Sequence, residues 1–115
     1  MSDTVRVFKA LSDGTRLRIL NILLERECCV CEVMQVLGIS QPSASRHLSI
    51  LHDAGFLRAK KEGIWMNYAV DHAGMPAYVQ EIIKGVRLAM AEMPEAISDR
   101  HQLKETVKQG AACIS

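Results

Sequence analysis

Three of the four cysteines in this 115-residue chain, Cys28, Cys29 and Cys31, fall within four consecutive positions, and the fourth is Cys113 near the C-terminus. Thiolates select soft ions, and they are also the reactive groups of redox sensors. Free cysteine is often a small buried apolar residue, which explains one cysteine between two helices far better than three in four positions. In a reducing compartment such a cluster is expected to bind metal, sense redox state or catalyse rather than form a structural disulfide. A thiol enzyme is disfavoured, because Cys-x-x-Cys redox spacing in a strand-to-helix context is not expected here and nothing marks His47 or His52 as a base directed at a cysteine.

The elements that must position these thiols follow from periodicity and punctuation. Val5, Phe8 and Leu11 recur at helical spacing until Ser12-Asp13-Gly14 interrupts them, which predicts a short first helix. Residues 15–26 carry apolar side chains around much of their circumference, as a central buried helix would. After the cysteines, Val33, Val36 and Leu37 continue a short helix that Gly38 can end in a left-handed cap, since glycine lacks the Cβ clash. Ser40-Gln41-Pro42 then starts a new helix: Ser40 can cap free N–H groups and Pro42 is tolerated in the first turn. On it Ala44, Leu48 and Leu51 share one face, while Ser43, Arg46 and Ser49 lie away from it.

Residues 56–61 and 64–70 are expected as two strands around Glu62-Gly63, a β-hairpin with a basic arm, anchored by Trp65 and Tyr68. Val79, Ile82, Ile83, Val86, Met90 and Met93 form an apolar stripe running to Pro94, expected as core or dimer interface. A second helical stretch is expected over 97–107. Residues 1–109 are expected to form one DNA-binding and dimerisation domain, and 110–115 a flexible tail.

Helix, short helix, tight turn, exposed polar helix and hairpin make a mainly α, winged helix-turn-helix fold, whose second turn-motif helix enters the major groove. Gln41, Ser43, Ser45 and Arg46 are then placed for base edges or phosphates, arginine being the usual bidentate partner of guanine. His47 flanks the packed face of the same helix. Arg58, Lys60 and Lys61 can hold flanking phosphates, contacts that fix register without reading sequence. The net charge is only +1, so nucleic-acid contact must come from this local patch rather than from a global field. No signal segment and no apolar run long enough to span a bilayer is visible, so a cytoplasmic protein without a membrane partner is expected.

Leu11-Ser12-Asp13-Gly14-Thr15-Arg16-Leu17-Arg18-Ile19-Leu20, Cys29-Val30-Cys31-Glu32 and Gln41-Pro42-Ser43-Ala44-Ser45-Arg46-His47-Leu48 together resemble the ArsR/SmtB family of metal-responsive repressors. The likeness runs roughly from Val5 to Val70 and is greatest to the arsenical-resistance branch, whose pattern carries Cys-Val-Cys and an acidic residue ahead of the recognition helix. The resemblance implies a homodimer on double-stranded operator DNA that blocks transcription until a thiophilic ion binds Cys29 and Cys31. Arsenite As(III) or antimonite Sb(III) would be the inducer, with no organic cofactor. Where many members of that branch have a third cysteine, this chain has Met34, and a thioether cannot replace an anionic thiolate. The third ligand is left open between Cys28, already local, and Cys113 of the same or the other subunit. Asp71 and His72 match the start of the zinc-sensing pattern, but no His-Glu pair follows at its spacing; His72 is expected in a loop and His101 in solvent. A second reading keeps the winged helix and makes the cysteines a sensor of cadmium, zinc or lead, or of oxidants and persulfides.

On a regular helix, residues two apart point to nearly opposite sides. Cys29 and Cys31 are therefore expected to meet only if the first turn of their helix distorts. The distortion would pass along Val33 to Leu37 and the Gly38-Ile39-Ser40 turn to the helix carrying Arg46. A coupling of ~1–3 kcal/mol would weaken DNA binding several-fold to over a hundredfold.

Overall fold

Helix α1 (Ser2–Leu11) buries Val7 and Ala10 and leaves Val5 and Phe8 outside, Phe8 at 53% exposure. The periodic set Val5, Phe8 and Leu11 is thus not this helix's inward face within the chain. The structure is a computed structural model describing residues 1–107; Cys113 and the tail expected over 110–115 lie outside the described residues. Asp13 caps helix α2 (Gly14–Leu23) by accepting the Arg16 N–H at 3.0 Å. Around α2, Ile19, Leu20, Asn21, Ile22 and Leu23 are all buried, as expected of the central helix, although it ends at Leu23 rather than near Arg26.

Strand β1 (Cys28–Cys29) follows, then α3 (Val30–Leu37), which Gly38 ends with φ +67 and its N–H on Met34 O at 2.8 Å. Helix α4 (Gln41–Asp53) starts at Ser40, whose Oγ accepts the Ser43 N–H at 3.3 Å, and packs Ala44, Leu48 and Leu51 inward. Full burial of Leu48 and Leu51 contributes ~1.5–3 kcal/mol each by area removed from water. Strands β2 (Leu57–Glu62) and β3 (Trp65–Val70) turn through Gly63, whose φ of +60 suits the first position of a two-residue hairpin loop.

The hairpin is part of a three-stranded antiparallel sheet of order β1-β3-β2, with Cys28 opposite Tyr68 and Cys29 opposite Asn67. Two residues offer no alternation to detect, so this strand is invisible in the sequence. Helix α5 (Ala77–Met90) buries Val79, Ile83, Val86 and Met90 inside the chain, leaving Met93 beyond its end and Leu88 in solvent. Helix α6 (Pro94–Leu103) begins at the proline, earlier than the stretch expected over 97–107. It lies along α2 through polar contacts: Arg18 grips the buried Asp99 at 2.8 and 2.9 Å, and Asn21 donates to Ala96 O at 3.0 Å. That polar attachment explains its weak apolar period. Among the described residues no helix is long and apolar enough to cross a membrane.

Candidate nucleic-acid interface and thiol site

The outer face of α4 presents the side chains expected to meet DNA. Arg46 and Ser49 are exposed, and Gln41, Ser43 and Ser45 are half-buried along the helix start. Gln41 Nε2 donates to Ser45 Oγ at 2.8 Å, one turn on, which holds the amide against the helix before any partner arrives. His47 is turned away from this group. Its Nδ1 meets Arg16 Nη1 at 3.1 Å, while Arg16 Nε donates to Ala10 O at 2.7 Å and the guanidinium lies 3.8 Å from the Asp13 carboxylate. Desolvation holds His47 below the usual imidazole pKa, outweighing the opposing pull of Asp13, so near neutrality Nδ1 is an acceptor for Arg16. Asp13 and Arg16 thus pin α4 to the α1–α2 junction. A cap at Asp13 is legible in the sequence; the reach of Arg16 across to α4 is not.

On the wing, Arg58, Lys60 and Lys61 are all exposed, but the register divides them. Opposed residues of an antiparallel pair share a face and successive residues alternate. Arg58 and Lys60 therefore lie on the face of Asn67 and Cys29, and Lys61 lies on the other with Tyr68 and Cys28.

The same alternation sorts the cysteines. Cys28 and Cys29 are adjacent in β1 and point to opposite faces; Cys28 is buried in the main core, its Sγ 3.4 Å from Arg26 O, while Cys29 and Cys31 form a separate buried cluster under Trp65. Cys29 and Cys31 are joined as a disulfide, with Cα atoms 5.4 Å apart. One sequence expectation is corrected here: the pair meets without distortion of the α3 first turn, because Cys29 is the N-cap, in extended backbone (φ −82, ψ 165), and only Cys31 is helical. Cys28 is not brought to the pair, and among the described residues no three His, Cys, Asp or Glu side chains gather on one ion-sized position.

Glu32 underpins the pair, and the reading of its residue type as a family mark missed its work. It is 3% exposed, accepts the Cys29 N–H at 3.0 Å, pairs with Arg26 at 2.8 Å and receives the Thr106 hydroxyl at 3.0 Å. Burial pushes its carboxyl up, but the bonds from Arg26, the Cys29 N–H and Thr106 outweigh it and leave the pKa below the usual value. A glutamate three residues after an N-cap is the capping-box spacing, which is the signal that could have found it. Gln35, one turn on, donates to Val107 O at 2.8 Å and so fastens the end of the described chain to α3.

Comparisons with known proteins agree with this architecture. Residues 13–59 match the family described as "Bacterial regulatory protein, arsR family". The chain is 38% identical to the arsenical resistance operon repressor of Escherichia coli, over 81% of this chain and 80% of that one. It is 46% identical to the arsenic resistance transcriptional regulator ArsR1 of Pseudomonas putida, over 70% of this chain but 62% of the relative, so part of that protein's length is unmatched. A homodimeric winged helix-turn-helix DNA-binding domain from Mycobacterium bovis, described as a possible ArsR-family regulator, superposes with a TM-score of 0.66 at 28% identity, covering 81% of this chain and 82% of that one. With α4 presented as a recognition helix, β2 and β3 as the wing and these relatives alongside, the chain belongs to the ArsR family of DNA-binding transcriptional regulators and is not an enzyme.

Proposed function

We propose that this chain is a cytoplasmic homodimeric repressor that leaves its operator when trivalent arsenic or antimony is taken up by Cys29 and Cys31. One observation carries the reading: two cysteines converge at the N-terminus of the helix that immediately precedes the recognition helix. Their donor chemistry suits a soft ion. Free N–H groups and the dipole of α3 favour thiolate at that end, and thiolates bind thiophilic ions where oxygen donors do not. The relatives named for arsenic resistance support the inducer class.

Gln41, Ser43, Ser45 and Arg46 would read the major groove, and Arg58, Lys60 and Lys61 would hold phosphates beside it, Lys61 from the opposite face of the wing. His47 would act through Arg16, orienting α4 rather than touching DNA. The exposed Val5 and Phe8 of α1 and Leu88 of α5 offer apolar surface for a second subunit. Cys29 belongs to β1 and Cys31 to α3, so a ligand held by both ties strand to helix. Strain there would pass along α3, through Gly38-Ile39-Ser40, to α4. Recognition helices of a dimer must stay ~34–36 Å apart to enter successive grooves, so a small tilt of each loses both.

A second reading is favoured by the disulfide itself: oxidation of the same pair would release DNA. Fluorescence anisotropy on the DNA upstream of the protein's own gene separates them. The reduced protein is titrated with arsenite, antimonite, cadmium, zinc and a persulfide donor in turn. Selective release by arsenite or antimonite, lost in Cys29→Ser and Cys31→Ser, is the expected result. Release by oxidants or divalent ions alone would install the second reading, and undiminished DNA affinity in saturating arsenite would remove the first.

A further inference from the structure

Asn67 sits opposite Cys29 across the β1–β3 ladder, on the same face of the sheet, with Trp65 two residues along over the Cys29–Cys31 pair. It is 1% exposed. Its Nδ2 donates to Glu62, while among the described residues no donor reaches its Oδ1. Native proteins leave few buried carbonyl oxygens unsatisfied, because such a group keeps its full desolvation cost, and each one calls for an explanation. The position compounds the anomaly. A valine or isoleucine would fill this buried, inward position of a strand without cost.

We propose that Asn67 Oδ1 is the third contact of the inducer site, accepting a hydrogen bond from the hydroxyl that trivalent arsenic keeps when only two thiolates bind it. This rests on the arsenic reading above. The pair must first be in the dithiol state, reached by a thiol reductant that supplies two electrons and two protons. Arsenous acid then exchanges two of its three hydroxyls: two As–S bonds form, two As–O bonds break, and two waters leave carrying the two thiol protons. Arsenic stays trivalent and retains one hydroxyl. Met34 offers no thiolate to displace that hydroxyl, and Cys28 lies on the other face of β1. A buried amide oxygen beside the dithiol gives the hydroxyl an acceptor, and the site then discriminates a hydroxyl-bearing ion from one that carries carbon or has no third substituent. Asn67 is a specificity residue on this account, not an ion ligand.

The chain's one tryptophan, Trp65, packs against both cysteines, so its emission reports binding without any DNA readout. Full-length protein, kept reduced with a phosphine, is titrated with arsenite and with methylarsonous acid, whose methyl group stands where the third hydroxyl would. In Asn67→Leu, a shape-conserving change, arsenite affinity is expected to fall about tenfold, the worth of one buried hydrogen bond, while methylarsonous acid affinity holds. Glu62→Ala, which removes only the Nδ2 partner, should leave both affinities unchanged, and circular dichroism verifies that each variant folds. Equal losses for both arsenicals, or no loss for either, would overturn the proposal. So would a collapse of arsenite affinity in Cys113→Ser, because a third thiolate would then have displaced the hydroxyl. No arsenite response in the unaltered protein would instead remove the arsenic reading, and this inference with it.

Discussion

The outward face of α4 and the buried N-terminus of α3 lie a few residues apart in sequence and are built in opposite ways. Arg46 stands in solvent on the face of a single helix; Cys29 and Cys31 are at most 2% exposed and are held by several segments. Cys29 comes from a strand paired with β3, Cys31 from α3, Trp65 covers them, and Glu32 ties their backbone to Arg26 and Thr106. A surface that reads DNA can be specified locally. A site that must change the shape of the protein has to be wired into several elements at once, because a ligand shifts an equilibrium only through contacts that differ between its states.

The contrast is sharpest at Glu32. Glu32→Ala removes acceptors from Arg26, the buried Cys29 N–H and Thr106, and should cost about 2–3 kcal/mol in denaturant unfolding, below the upper range for buried pairs because Arg26 is 42% exposed and rehydrates. A loss under 0.5 kcal/mol, within the noise of surface substitutions, would mean the α3 terminus is held by packing alone. The charge also sets a pH dependence. Since the folded pKa lies below the ordinary carboxylate value near 4.3, its contribution is complete above that value and is lost as pH falls through the lower one. Glu32→Gln should therefore flatten the acid limb of the stability curve below about pH 4; an unchanged limb would assign acid sensitivity elsewhere.

Arg46→Ala tests the other region. DNA affinity is expected to drop by ~1–2 kcal/mol with the melting temperature unchanged, since the Arg46 side chain is exposed. Loss of stability instead would erase the distinction between the two regions. The smallest effects belong to the wing. Lys60→Ala and Lys61→Ala should each reduce the salt dependence of DNA binding by about one counterion. If only one of them does so, the two faces of the hairpin are not both turned to phosphate.

Much of the fold could be read before the structure because its signals are local. The Asp13 and Ser40 caps, the left-handed Gly38, and the inward trio Ala44, Leu48 and Leu51 each need only their neighbours in sequence. The thiol site was legible in composition but not in geometry. Cys29 belongs to a two-residue strand whose partner lies nearly forty positions on, so helical spacing gave the wrong relation between Cys29 and Cys31, and adjacency placed Cys28 with them although the pleat sends it to the opposite face. The contact of His47 is illegible for the same reason: its partner Arg16 sits on another helix. Polar attachment hid the start of α6, since buried Asp99 and its Arg18 partner interrupt an inward face that is apolar only at Ala96 and Leu103.

In the proposed switch the Cys29–Cys31 site and the α4 surface share one equilibrium, and coupling between binding sites is reciprocal. Arsenite affinity, read from Trp65 emission of the reduced protein, should therefore be measured twice, free and saturated with the DNA upstream of its gene. DNA should weaken arsenite binding by the same factor by which arsenite weakens DNA binding, between several-fold and about a hundredfold. Identical arsenite affinities in the two titrations would show that the thiol site, however well placed, does not control the helix that follows it.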